Sequence, residues 1–125
     1  MRVIVDGMNV IGSRPDGWWK DRPAARRALV DDLRGLASQG HDVTVVFDGR
    51  PRRREIDEET SAGVAVLFAP GGPNAADRVI ADLVAKLAPT PDLTVVTSDE
   101  ALARQARALG AKVEGSGAFR ARLGR

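Results

Sequence analysis

The sequence predicts an α/β protein: three layers, αβα, around a mostly parallel five-stranded sheet. Three observations carry this. Short apolar runs alternate along the chain with segments whose apolar residues recur at helical spacing. The runs at Val3–Val5, Val43–Phe47 and Leu93–Val96 are nearly unbroken, as in strands buried on both faces. Strands that alternate with helices pair in parallel and place the crossover helices on both faces of the sheet.

Taken in order, Val3–Val5 forms the first strand and ends in Asp6, Gly7 and Asn9, where Gly7 allows a sharp turn. The stretch from Gly7 to Arg22 reads as a loop containing Gly12, Pro15, Gly17, Trp18 and Trp19. A helix is predicted from Pro23 to Ser38, with Ala25, Leu29, Leu33 and Leu36 as its apolar stripe, Asp21 as its cap and Gly40 as its stop. Val43–Phe47 is the second strand and ends in Asp48-Gly49. A basic loop, Arg50 to Arg54, and an acidic stretch, Glu55 to Glu59, precede a third strand at Val64–Phe68. After the Pro70-Gly71-Gly72-Pro73 turn, a helix from Asn74 to Leu87 buries Ala76, Ile80, Leu83, Val84 and Leu87. Leu93–Val96 is the fourth strand, Ser98–Leu109 a helix, Lys112–Glu114 a short fifth strand and Gly117–Leu123 a last helical segment.

Length and composition bound the function. A chain of 125 residues suits one domain, 1–125. It contains no apolar run of about 18 residues, so no membrane span is expected, and its start lacks the pattern of a secretion signal. Cysteine is absent, which fits a reducing cytoplasm and excludes thiolate chemistry. The single histidine, His41, sits in a turn between Gly40 and Asp42, so no Ser-His nucleophile system is expected. The net charge is only +2, yet sixteen of the nineteen basic residues are arginine, the side chain suited to bidentate phosphate contacts.

The acids carry the chemistry. Asp6, Asp48 and Asp99 each follow a strand, and Asp77 lies in the first turn of the helix after the third strand. In a parallel sheet all four arrive at the carboxyl edge, where open α/β sheets hold ligands. If the chain reverses direction after its third strand, the first and fourth strands become neighbours and Asp6 faces Asp99. Each acid also has a plain structural role. Asp48-Gly49 is a turn pair, Asp77 stands three residues after a capping Asn74, and Thr97 to Glu100 has the spacing of a capping box. Together, four carboxylates in one crevice repel one another and call for a cation. Oxygen-only ligands suit a hard ion, Mg²⁺ or Mn²⁺, which activates water and neutralises charge at phosphoryl oxygens.

The segments VDGMNVIGSR, VVFDG, GPNAADRVIADLV and VVTSDEALARQA resemble, in that order, the motifs of the NYN domain, a branch of the PIN-like metal-dependent ribonucleases, and within it the YacP-like group. DGxN at Asp6, Gly7 and Asn9 is the most specific of them and TSD at Thr97–Asp99 the second. The resemblance implies a strand order of 3-2-1-4-5 and a Mg²⁺ or Mn²⁺ site that cuts single-stranded RNA internally. It implies Asp6, Asp77 and Asp99 as metal-site acids. Asn9 would orient Asp6 or touch substrate, Asp48 is more peripheral, and Ser98 bonds a carboxylate or phosphate. RNA is the implied partner, whether mRNA, tRNA or rRNA, and ribosome association is known in the YacP-like group; the oligomeric state is left open.

Outside the acids, Trp18 and Trp19 suit base stacking on a single strand, or anchoring of the loop over the first helix. Arg50, Arg52, Arg53 and Arg54 suit phosphate contacts at the same edge. Arg120, Arg122 and Arg125 form a weaker basic cluster expected at the surface, and Asp82 is expected to pair with Arg78 at helical spacing. Two other classes fit less well. A non-catalytic RNA-binding or ribosome-associated module would keep the acidic pocket only for folding. A phosphoacceptor receiver would want a lysine ending its fifth strand, and Lys112 begins it.

Overall fold

In the computed structural model, residues 2–49, 63–72, 74–87 and 92–123 are described. The five strands are β1 (Arg2–Asp6), β2 (Asp42–Asp48), β3 (Val64–Ala69), β4 (Leu93–Val96) and β5 (Lys112–Glu114). The helices are α1 (Gly7–Ile11), α2 (Arg22–Ser38), α3 (Ala75–Leu87), α4 (Glu100–Ala108) and α5 (Ser116–Arg122), with a 3-10 turn at Trp18–Lys20. All pairings are parallel and the sheet order is β3-β2-β1-β4-β5, so the chain does reverse direction after its third strand.

Strand periodicity divides the apolar residues between two cores. Val3, Val5, Val43, Val45, Phe47 and Val96 pack with α1, α2 and Phe119 of α5 on one face. Ile4, Val46, Leu93 and Val95 pack with Ala76, Ile80 and Val84 of α3 and Leu102 and Ala106 of α4 on the other. β1 is central and Val3, Ile4 and Val5 are buried. Its carboxyl end is therefore fixed from both faces and both flanks.

Two helical starts follow local chemistry. Asp21 caps α2 by accepting from the Ala24 amide at 3.1 Å, as its spacing suggests, and Pro23 stands in the first turn, where its missing N–H costs nothing. α1 is a departure from the expected loop. Gly7 enters the helix directly from β1, and Asn9 to Ile11 belong to it. Five residues are too few to show a helical period. Gly7 is also needed for a reason other than a sharp turn. A Cβ there would lie 2.4 Å from the Phe47 ring and 3.0 Å from Val45, so only glycine lets α1 seat against β2. Among the described residues, no helix is long and apolar enough to cross a membrane.

Candidate nuclease site at the carboxyl edge

The site starts from the register of β1 and β4. Val5 pairs with Val96, so the residue beside Asp6 is Thr97, with Asp99 two positions further along. Asp6 is buried, 4 % exposed, and its Oδ2 accepts from the Thr97 hydroxyl at 2.9 Å. The Thr97 Oγ1 in turn accepts from the Asp99 amide at 3.1 Å. Thr97 thus links the two acids expected to face each other directly. It is itself buried, 2 % exposed.

Asp99 caps α4 through its Oδ1, which accepts from the Leu102 amide at 2.9 Å. The helix accordingly begins at Glu100 rather than at Ser98, and the Thr97–Glu100 capping box does not form. Asp48 is exposed, and its Oδ1 accepts from the Ala76 amide at 3.1 Å, capping α3 from a different strand. Asn74, the cap expected from spacing, instead adopts a left-handed backbone with φ 64°. Asp77 stands in the first turn of α3, half-buried, and borders a small cleft with Asn74, Arg78, Ala81, Asp82 and Gln105. Among the described residues Arg78 and Asp82 form no ion pair, so that expected surface pair is absent.

The electrostatics join these acids into one site. Burial pushes the Asp6 carboxyl up from an ordinary 3.8 to about 6; the Thr97 hydrogen bond opposes this, while Asp77, Asp48 and Asp99 add to it by repulsion. Asp77 is raised as well, chiefly by burial and then by Asp99 and Asp48, with Arg78 opposing. Asp6 therefore lies within electrostatic reach of the other three acids, and Asp77 within reach of Asp48 and Asp99. Their donor chemistry, carboxylate oxygens only, fits a hard divalent cation. Yet among the described residues no three metal-ligating side chains stand close enough to form a ready-made ligand set. Asp48 and Asp99 each spend one oxygen on a helix cap and leave the other for a ligand.

Asn9 projects from α1 toward the β4–α4 loop. Its Oδ1 accepts from the Ser98 amide at 2.9 Å and from the Ser116 hydroxyl. Ser98 Oγ accepts from the Ser116 amide at 2.8 Å. Among the described residues, the side chains of Asn9 and Ser98 thus bind neighbouring segments of protein and no acid. Nothing in the sequence around Ser116 points to this role. It is 107 residues from Asn9, and a serine opening a helix signals a cap at most.

The aromatic and basic residues divide. Trp18 is half-buried against the core of the α2 face, with Arg22 stacked 5.2 Å from its ring centre. Trp19 meets it edge-on at 5.9 Å and is 50 % exposed, so Trp18 is the anchor and Trp19 the ring open to a ligand. Arg50, Arg52, Arg53 and Arg54 lie outside the described residues. Of the expected surface cluster, Arg125 also lies outside the described residues, Arg122 is exposed as expected and Arg120 is half-buried. Arg120 donates to the Ile11 carbonyl at 2.8 Å at the end of α1 and pairs with Asp16, while Arg122 grips Glu114 with two nitrogens.

The sequence profile of the YacP-like NYN domain matches residues 3–125. The chain belongs to this family. The solved structure of Rae1 (YacP) from Bacillus subtilis is similar to this YacP-like chain, with 27 % identity and a TM-score of 0.77 over 99 % of this chain and 74 % of that one. A mutant of the same Bacillus subtilis protein gives 25 % identity and a TM-score of 0.76, covering 98 % of this chain and 74 % of that one. No curated protein sequence matches the chain. Membership of the NYN family carries a PIN-like ribonuclease fold, and with it RNA as the class of substrate.

Proposed function

We propose that this YacP-like domain is a divalent-metal-dependent endoribonuclease that hydrolyses single-stranded RNA at the carboxylate crevice. The observation that carries the reading is a buried Asp6 at the carboxyl edge, hydrogen-bonded to Thr97 and facing the charges of Asp77, Asp48 and Asp99, its carboxyl pushed up to about 6 chiefly by burial. An acid kept buried among like charges costs stability, and a cation that neutralises it is the simplest compensation. Asp6, Asp77 and Asp99 would hold Mg²⁺ or Mn²⁺, with Asp48 at the margin. The ion supplies charge neutralisation at the phosphoryl oxygens and activation of the attacking water. The chain's own part is positional. Thr97 orients Asp6, and Asn9 and Ser98 fix α1 against the β4–α4 loop. The exposed Trp19 stacks on a base of the bound strand, and the arginines at positions 50 and 52–54 contact its phosphates.

Incubating the purified protein with end-labelled single-stranded RNA and Mn²⁺ tests this. Internal cleavage is expected for the wild type and not for Asp6→Asn or Asp99→Asn. Cleavage that persists in both variants contradicts the proposal. A second reading, an RNA-binding module without turnover, draws support from the helix-capping duties of Asp48 and Asp99 and from the lack of a preformed three-ligand cluster among the described residues. It predicts salt-sensitive RNA binding with no cleavage under any divalent ion.

A further inference from the structure

We infer that Ser116 is a positioning residue of this site: it locks the Asn9 amide with its nitrogen edge free, which commits Asn9 to the RNA strand rather than to a metal ion. The inference rests on the ribonuclease reading for its ligand, but not for its geometry.

The assignment of the amide is chemically forced. The Ser98 backbone N–H can only donate, so the Asn9 atom that meets it at 2.9 Å must be the carbonyl oxygen, Oδ1. The Ser116 hydroxyl donates to the same oxygen. A carbonyl oxygen has two lone pairs, and both are now used. A cation could take Oδ1 only by displacing two hydrogen bonds, one of them from a fully buried hydroxyl. The opposite edge of the amide, Nδ2, donates to no described residue. Asn9 is half-buried, and its amide meets the chain at Ser98, between the Thr97 that bonds Asp6 and Asp99 itself, so a group with two spare N–H bonds stands one residue from the acids. A non-bridging phosphoryl oxygen is the ligand that suits an unpaired amide donor next to a carboxylate crevice.

Ser116 holds this arrangement from a distance. It is 0 % exposed and opens α5, whose Phe119 is fully buried in the core. Its hydroxyl reaches Asn9 while its amide donates to Ser98 Oγ, so one residue fixes both the α1 side and the β4–α4 side of the crevice. Removing the hydroxyl leaves the Ser98 bond to Asn9 as a single pivot, about which the amide can turn.

Side-chain amide spectra of ¹⁵N-labelled protein test this directly, because the chain has only Asn9, Asn74, Gln39 and Gln105 to resolve. Without RNA, Ser116→Ala is expected to move the Asn9 Nδ2 pair toward the position of a free amide while the other three pairs stay in place. An Asn9 pair that does not move overturns the positioning role, whatever the ligand. With a 2′-O-methyl single-stranded oligoribonucleotide, the wild-type Asn9 pair is expected to shift, and to shift far less in Ser116→Ala. An oligonucleotide that shifts backbone amides around Asp6 but leaves the Asn9 pair in place overturns its substrate contact. One that leaves the whole spectrum unchanged refutes RNA binding by the domain, and the substrate role of Asn9 with it, while the RNA-free comparison still judges Ser116. In turnover, Ser116→Ala is expected to lose about 10- to 100-fold per folded molecule, since misplacing a substrate-positioning group by about 1 Å costs up to that much. Asn9→Asp keeps the accepting oxygen and loses the donor, so a loss on the order of 100-fold is expected. Asn9→Asp activity within about tenfold of wild type would mark Asn9 as a metal ligand and overturn the inference.

Discussion

Two neighbouring strands, β1 and β2, end in the same dipeptide, and the two ends behave differently. Asp6-Gly7 closes β1; Asp48-Gly49 closes β2. Asp6 is buried and its carboxyl is pushed up to about 6, whereas Asp48 is exposed and serves as the cap of α3. Gly7 continues straight into a helix and is required by contact with Phe47. Gly49 has open space around it and is required by a backbone φ of 98°. Position in the sheet makes the difference. β1 is central and flanked by β2 and β4 at its end, while β2 ends beside a strand that leads into a turn. The same residues thus give a buried acid with a raised pKa in one place and a structural turn in the other.

The widest gap between the two ends should appear in turnover. Asp6→Asn is expected to reduce RNA cleavage by at least 10²- to 10³-fold, the scale of losing a main electrostatic group. Asp48→Asn should cost less than about tenfold, because its main contact is with a helix amide. Equal losses in single-turnover cleavage would erase the distinction. Next comes packing. Gly7→Ala is expected to destabilise the fold by about 3 kcal/mol or more through the clash with Phe47, against about 1 kcal/mol for Gly49→Ala from its left-handed backbone. Urea unfolding of the two variants measures this, and similar midpoints would count against the close approach of α1.

The third contrast is in pH dependence. The folded chain holds the Asp6 proton more tightly than the unfolded chain does, since its carboxyl titrates near 6 rather than 3.8. The stabilising contribution is therefore present below about pH 4, declines between pH 4 and 6 and is gone above. The total is no more than about 3 kcal/mol for a shift of roughly two units. Melting temperature should fall over that window in the wild type, and Asp6→Asn should flatten the fall and melt higher at pH 7. A wild-type profile that rises between pH 4 and 6 would have the wrong sign. The smallest effect is expected for Asp48→Ala, a loss of about 1 kcal/mol from uncapping α3. It should appear as faster hydrogen exchange at Ala76 and the amides beside it.

Much of this was legible in the residues because it depends on local pattern. The alternation of apolar runs and amphipathic segments located five strands and the three longer helices, and the acids at strand ends located the edge. What escaped was contact across the fold. Thr97 reads as half of a capping box, yet it bonds an acid 91 residues away. Asn74 looks like the cap of α3, but the cap comes from Asp48, 28 residues before Ala76. Arg120 looks like surface charge and in fact ties α5 to the end of α1. Polar side chains of this kind carry no periodicity, so only the folded arrangement reveals their partners.

We propose that Asp6 sits in a carboxylate site built for a divalent cation. Its side-chain ¹³C resonance, followed against pH with and without Mg²⁺, tests that claim most directly. A midpoint near 6 is expected in the absence of the ion, and one lowered by at least about one unit at saturating Mg²⁺, since a bound cation favours the charged form. A midpoint near 3.8, or one near 6 that Mg²⁺ does not move, would contradict it.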